Sequence, residues 1–263
     1  MKAILAAVYL SSEDSPMRDR YPSVLLPVGD RPFIHHVIES LIKTGVNEFD
    51  LLLCHRPEKI EAAIGNGERW GTVIRTHLVK DELVFFDAVR SILPEGDPEP
   101  FILACANRLP LLPADLFQNY DLSRPVLISQ PGAEGAGEWP GWAILTRDTI
   151  QSLPGRMNES AGLESLKSMT SSPVWFHSET GLDVRTYKSL IESNTKVIQG
   201  EMPGLTLYGQ EIEKGIWLSR NVSLHPTVHL EPPVYIGENC GIASACRLGP
   251  HAFIGSDCVL DEK

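Results

Sequence analysis

The sequence predicts a doubly wound α/β domain followed by a short parallel β-helix. Two observations carry this expectation. Over the first 105 residues, short apolar runs alternate with segments of helical periodicity. From Leu224 to Leu260, aliphatic residues recur at every sixth position.

Residues 2–10 form an apolar run of the kind found in a buried parallel strand, and a polar stretch follows to Tyr21. Pro32 opens a helix over 33–43. Its Ile34, Val37, Ile38, Leu41 and Ile42 recur at helical spacing, and Gly45 is placed to end it. Residues 49–54 read as a strand, 57–64 as a helix, 72–78 as a strand, 81–93 as a helix and 100–105 as a strand. Sheets built this way bind ligands beyond the carboxyl ends of their strands, which singles out the segments after Ala7 and after Cys105. Between 130 and 172, Pro, Gly and Ser are common and only 142–145 reads as a strand. Asp183 is a candidate N-cap for a helix running to about Val197. Pro203, Gly204 and Gly209 mark a linker. The expected division is therefore 1–200 for the α/β domain, 201–215 for the linker and 216–263 for the β-helix.

The tail pattern runs through Leu224, Leu230, Ile236, Ile242, Leu248, Ile254 and Leu260. The next residue is small or acidic at Glu231, Gly237, Ala243, Gly249, Gly255 and Asp261, with His225 the exception. Small residues also fall four places after each aliphatic, at Val228, Val234, Cys240, Cys246, Ala252 and Cys258. In such a coil, residues 18 apart stack at about the 4.8 Å strand spacing, which places Cys240 over Cys258. Two stacked thiols lack the ligands of a tetrahedral metal site, so they are expected to fill inward positions. The pattern stops in mid-repeat at Lys263. Either another subunit or element covers the last coil, or the natural chain continues.

Composition narrows the function classes. The chain has 23 Lys and Arg against 34 Asp and Glu, a net charge of -11, which argues against nucleic acid as a partner. No apolar run reaches the about 20 residues that span a bilayer, so no membrane association is expected. Five unevenly spaced cysteines do not make a disulfide framework, and a cytoplasmic location is expected.

Residues 1–34 resemble the opening of the sugar-1-phosphate nucleotidyltransferases, the family of mannose-1-phosphate guanylyltransferases and glucose-1-phosphate nucleotidyltransferases. That family reads L-A-A-G-x-G-T-R, then P-K-x-L-x-P-V, then a K-P that starts a helix. Here the line reads Leu5-Ala6-Ala7-Val8-Tyr9-Leu10-Ser11-Ser12-Glu13, then Pro22-Ser23-Val24-Leu25-Leu26-Pro27-Val28, then Arg31-Pro32. The resemblance implies a Rossmann-like nucleotidyltransferase domain, and many members carry a left-handed β-helix of hexapeptide repeats at the C-terminus. It also implies nucleotide-pocket positions at Ala6, Ala7, Tyr9, Ser11, Glu13, Ser23, Asn107 and Glu179, and Mg²⁺ if the protein is active.

The departures fall on the chemistry. Tyr9 and Ser11 stand at glycines that let backbone N–H groups wrap a triphosphate. Glu13 replaces the family's Arg and Ser23 its Lys. A unit charge at about 5 Å is worth roughly 3 kcal/mol at an effective dielectric near 20, so the change from Arg to Glu swings the interaction by about 6 kcal/mol. Where the family has a G-D whose carboxylate holds Mg²⁺, this chain has Ala106-Asn107. A second metal carboxylate comes from a D-x-G-T stretch before a late helix, and the nearest counterpart is taken as Glu179-Thr180-Gly181. The base-contacting G-T-A-G-type loop falls near Val84-Phe85-Phe86-Asp87.

These losses predict a catalytically degenerate relative that acts as a regulatory, sugar-nucleotide-binding or scaffolding subunit. It is expected to bind a sugar nucleotide or sugar phosphate and to form homo- or hetero-oligomers through the β-helix. One alternative is an active transferase, joining a nucleoside triphosphate and a sugar 1-phosphate with release of pyrophosphate. A second is a hexapeptide acyltransferase using His225, His229 or His251 as general base. Of His35 and His36, one is expected to face the core and one outward. Cys54 and Cys105 are expected to be inert buried thiols.

Overall fold

Lys2–Ala7 forms the central strand β1 because its small and aliphatic side chains can be covered on both faces. The structure is a computed structural model and describes residues 1–8, 21–80, 85–95, 99–118, 120–131, 137–157, 159–169, 173–205 and 207–261. After β1 come β2 (Pro27–Val28), β3 (Arg31–Pro32), α1 (Phe33–Lys43), β4 (Glu48–Leu53), α2 (Pro57–Ile64), β5 (Val73–Leu78), α3 (Phe85–Ile92), β6 (Phe101–Cys105) and β7 (Arg108–Pro110). The domain continues with β8 (Val126–Pro131), β9 (Gly137–Leu145), α4 (Arg147–Ser152), α5 (Glu159–Lys167), β10 (Val174–His177), β11 (Gly181–Asp183) and α6 (Tyr187–Ile198).

The main sheet has the order β10-β8-β9-β6-β1-β4-β5. Strands β5, β4, β1 and β6 run parallel, with Leu5 opposite both Leu51 and Ala104. Strand β9 is antiparallel to both β6 and β8, so the sheet is mixed rather than uniformly wound. An apolar run such as Trp142–Leu145 looks the same in either direction, which is why the sequence does not announce the reversal. On one face of β1, Ala3, Leu5 and Ala7 pack with Ile34, Val37 and Leu41 of α1. On the other face, Ile4 and Ala6 pack with Phe85, Phe86 and Val89 of α3.

Two local expectations are corrected. Helix α6 is capped by Thr186 rather than Asp183, through a reciprocal capping box with Ser189 at 3.1 Å in both directions. Both His35 and His36 are buried, since the crossing of α1 over β2, β3 and α2 covers more than one apolar stripe. The described part of the helix read over 81–93 is α3, and residues 81–84 lie outside the described residues.

Beyond α6, within the segment read as a linker, Met202 and Leu207 are buried in the core of the main domain. Residues Gln210–Glu213 form β12, antiparallel to β13 (Ile216–Leu218). Then follow β14 (Ser223–Leu224), β15 (His229–Leu230), β16 (Val234–Ile236), β17 (Gly241–Ile242), β18 (Arg247–Leu248), β19 (Ala252–Ile254) and β20 (Val259–Leu260). These make three narrow sheets in which every parallel partner is 18 residues away, for example Ile216↔Val234↔Ala252 and Leu224↔Ile242↔Leu260. The aliphatics of the six-residue pattern and the small residues between them pack together, with Val234, Ile236, Cys240 and Ile242 fully enclosed. Asn221, Asn239 and Asp257 take the left-handed conformation at successive levels, which Asn and Asp tolerate better than most residues. Their side chains form a ladder: Asn221 Nδ2 donates to Asn239 Oδ1 at 2.9 Å, and Asn239 Nδ2 donates to Asp257 Oδ1 at 3.0 Å.

The stack docks on the α/β domain around the β2–β3 turn. Gly29 has φ +64°, and a Cβ there would stand 2.8 Å from Leu207 Cδ2. Tyr235 and Phe253 stack with ring centroids 4.4 Å apart. Tyr235 donates its hydroxyl to the Tyr208 carbonyl at 3.1 Å.

In α1, the His36 ring donates from Nε2 to the Val28 carbonyl at 2.7 Å, and no partner among the described residues reaches Nδ1. Burial drives the His36 pKa down from 6.5 to about 4, against the opposing effect of the Val28 bond. The native ring therefore stays neutral where the unfolded chain takes up a proton, and stability falls as pH falls through the window between 6.5 and 4. Urea unfolding at pH 7 and pH 5 should show this loss, and His36→Gln should reduce it by about 2 kcal/mol.

Candidate functional site

The site named by the topology lies at the carboxyl ends of β1 and β6. The structure brings Ala6, Ala7 and Asn107 together there. Ala6 is in register with Cys105, and the Ala106 N–H donates to the Ala6 carbonyl at 2.9 Å. The turn from Cys105 to Arg108 is pinned by the buried Trp142 indole, whose Nε1–H is shared between the Cys105 and Arg108 carbonyls at 3.0 Å each. Asn107 is buried, and its Oδ1 has no hydrogen-bond partner among the described residues. Tyr9, Ser11 and Glu13 lie outside the described residues. Ser23 opens a short 3-10 turn, Ser23–Leu25, anchored by the buried Val24 and Leu25.

The strand that runs alongside Asn107 is β11. Its register sets Asp183 opposite Arg108, and the Val184 N–H donates to the Asn107 carbonyl at 3.1 Å. Glu179 stands further along, exposed, on an apolar cavity of about 520 Å³ whose walls include Leu109, Leu112, Phe176 and Leu205 but not Asn107. The residue beside the Asn107 turn is therefore Asp183. A sequence signal for it exists: Asp183-Val184-Arg185-Thr186 precedes α6 and matches D-x-G-T, with Arg185 at the glycine. Glu179-Thr180-Gly181 keeps the glycine in place but has Glu for the Asp and Leu182 for the Thr, and it does not directly precede a helix.

Asp183 is held tightly. Ser193, itself buried, accepts from the Asp183 N–H and donates to the Asp183 carbonyl, both at 2.8 Å. The Asp183 carboxylate accepts from the Arg185 backbone N–H at 2.8 Å, from Arg185 Nε at 3.2 and 2.9 Å, and from Arg185 Nη2 at 2.7 Å. Ser189 Oγ adds a longer contact at 3.5 Å. The donor set does not suit Mg²⁺. A hard dication prefers carboxylates, whereas here one position is a neutral amide and the other carboxylate is already bound by a guanidinium.

The segment matching the base-contacting loop is also built differently. Phe85 and Phe86 begin α3, pack edge to face with centroids 4.9 Å apart, and are buried under the sheet. Asp87 pairs with Arg90. Val84 lies outside the described residues. In the C-terminal stack, His225, His229 and His251 are all exposed. Cys105 is buried and Cys54 is half-buried, and neither is in a disulfide. No helix among the described residues is long and apolar enough to cross a membrane.

Comparison with known proteins places this fold. The chain superposes on a Bacillus anthracis protein assigned as a glucose-1-phosphate thymidylyltransferase, solved with sucrose. The TM-score is 0.63 and the identity 13%, covering 80% of this chain and 97% of that one. It also superposes on HddC from Yersinia pseudotuberculosis complexed with GMP-PN, with a TM-score of 0.61 and 14% identity over 74% of this chain and 99% of that one. In sequence it is 23% identical over 219 residues to the bifunctional protein GlmU of Sorangium cellulosum, 81% of this chain and 46% of the relative. It is 20% identical over 287 aligned positions to a UTP–glucose-1-phosphate uridylyltransferase of Synechocystis, 90% of this chain and 74% of the relative. A third relative, the low-salt glycan biosynthesis nucleotidyltransferase Agl11 of Haloferax volcanii, is 30% identical over 81 residues, 30% of this chain and 22% of the relative. The chain thus spans less than half the length of the first curated relatives it matches. No family model matches it. The architecture is that of its nucleotidyltransferase neighbours: mixed α/β with a central, mainly parallel sheet.

Since the Trp142 indole fixes the turn that carries Asn107, Trp142→Phe should strip one donor from two buried carbonyls. The expected loss is about 1–3 kcal/mol in urea unfolding with the sheet intact by circular dichroism.

Proposed function

We propose that this protein is a degenerate relative of the sugar-1-phosphate nucleotidyltransferases, acting as a sugar-nucleotide-binding regulatory or scaffolding subunit. The observation that carries the reading is the Asp183 carboxylate, clamped by Arg185 beside the neutral Asn107. Triphosphate chemistry on this fold needs positive charge and a dication at the strand ends. Glu13 and Ser23 take away the first, and Asn107 with the Asp183–Arg185 pair leaves no place for the second. The HddC neighbour's complex with GMP-PN and the uridylyltransferase name of a relative support a ligand of nucleotide or nucleotide-sugar type.

In this reading the α/β domain covers about 1–200, the linker 201–215, and a left-handed β-helix of hexapeptide repeats begins at 216. The 18-residue register supports the last point, because three six-residue sides close one coil. The coil is the proposed means of homo- or hetero-oligomerisation, and the cytoplasm the proposed location.

Pyrophosphate release measured with Mg²⁺, a panel of nucleoside triphosphates and a panel of sugar 1-phosphates should give no turnover above background. Robust Mg²⁺-dependent turnover would establish an active transferase instead. Thermal shift with nucleotide sugars should raise the melting temperature, and the absence of any shift would remove ligand binding from the reading. The paired substitution Glu13→Arg and Ser23→Lys should strengthen nucleoside triphosphate binding by several orders of magnitude at low salt, measured by calorimetry.

A further inference from the structure

We infer that the Arg185 guanidinium occupies, on Asp183, the place a divalent cation would take, so that this strand end is a metal site closed from within. The inference rests on the degenerate-transferase reading and supplies its physical cause. The argument begins with lone pairs. A carboxylate offers about four acceptor sites. Those of Asp183 meet the Arg185 backbone N–H, Arg185 Nε on both oxygens, Arg185 Nη2 and the Ser189 hydroxyl. A dication needs oxygen at about 2.1 Å and could reach this carboxylate only by displacing the guanidinium. Ser193 holds the strand that carries this carboxylate, gripping the Asp183 backbone on both its N–H and its carbonyl.

Charge gives a second, independent argument. Two carboxylates at these positions, with glycine after the second, carry two negative charges for a dication to balance. Asn107 removes one of them, and Arg185 balances the other. Together the two residues raise the local charge by two units, that of the missing ion. Either change alone would leave a partly buried strand end with unbalanced charge, which is costly where water is reduced. The two departures therefore act as one.

The test uses Mn²⁺ as the probe, followed by the electron paramagnetic resonance signal of the free ion and independent of turnover. Wild type and Arg185→Lys, which keeps a cation beside Asp183, should leave the signal unchanged at millimolar Mn²⁺. Arg185→Gly lies on the half-exposed turn before α6 and should fold. It should take up Mn²⁺, and Asn107→Asp added to it should tighten uptake by about tenfold or more. Asp183→Asn in the Arg185→Gly background should abolish the gain, which locates the ion. Should the double variant not fold, the single variant and its Asp183→Asn control decide. Uptake by wild type equal to that of Arg185→Gly, or no uptake by a folded Arg185→Gly, would overturn the inference. Pyrophosphate release by wild type would overturn the functional reading itself, so the two failures are separable.

Discussion

The buried guanidinium of Arg31 is the contact on which the arrangement of the two halves depends. It lies in β3 just before α1, pairs with Asp30 and Glu39 at 2.9 Å each, and stacks 3.8 Å from the Tyr208 ring centroid. Its carboxylate partners are themselves engaged: Asp30 accepts the Tyr208 N–H, and Glu39 accepts the Trp70 indole at 3.2 Å. A charge out of water must keep all its partners, so the helix start, the segment after α6 and α2's neighbour Trp70 are placed together. From Tyr208 the constraint passes through the Tyr235 hydroxyl and Ser219 into the first coil of the stack. The Arg31-Pro32 pair, which in the sequence only announces a helix, thus also orients the C-terminal half.

The repeating and doubly buried parts of the fold were legible in the sequence. α1, β4 and α2 follow from apolar periodicity within a residue, and β1 starts where it was read, because their apolar side chains are sealed in the core. The stack follows from its six-residue period. What was not legible depends on long-range pairing. The reversal of β9 leaves no mark in its own composition. The burial of both His35 and His36 depends on how α1 is crossed by β2 and α2. Asp183 looked like a helix cap because Asp often is one, yet Thr186 with Ser189 made the stronger box and left the carboxylate for Arg185.

The same contrast runs through the candidate site. Its frame, from Ala6 and Ala7 to the Trp142-pinned turn, is shaped by packing and backbone hydrogen bonds that any relative with this sheet would need. Its charge is set by three side chains, the buried Asn107 and the partly exposed Asp183 and Arg185. Phe85 and Phe86 show the complementary case: large apolar side chains at the start of α3 are part of the core under the sheet.

The Asn221–Asn239–Asp257 ladder has a consequence for how such a stack can vary in length. Each rung offers a side-chain amide or carboxylate to the level beside it and makes the corner angle of its own level. An insertion or deletion that is not a multiple of 18 residues breaks the column and rotates every later corner away from its partner. Whole coils, by contrast, slip in or out and leave each surviving rung with a neighbour at the same corner. The stack is therefore a ruler with one fixed graduation. A variant of this protein can present its outermost face nearer to or farther from the α/β domain only in steps of one strand spacing.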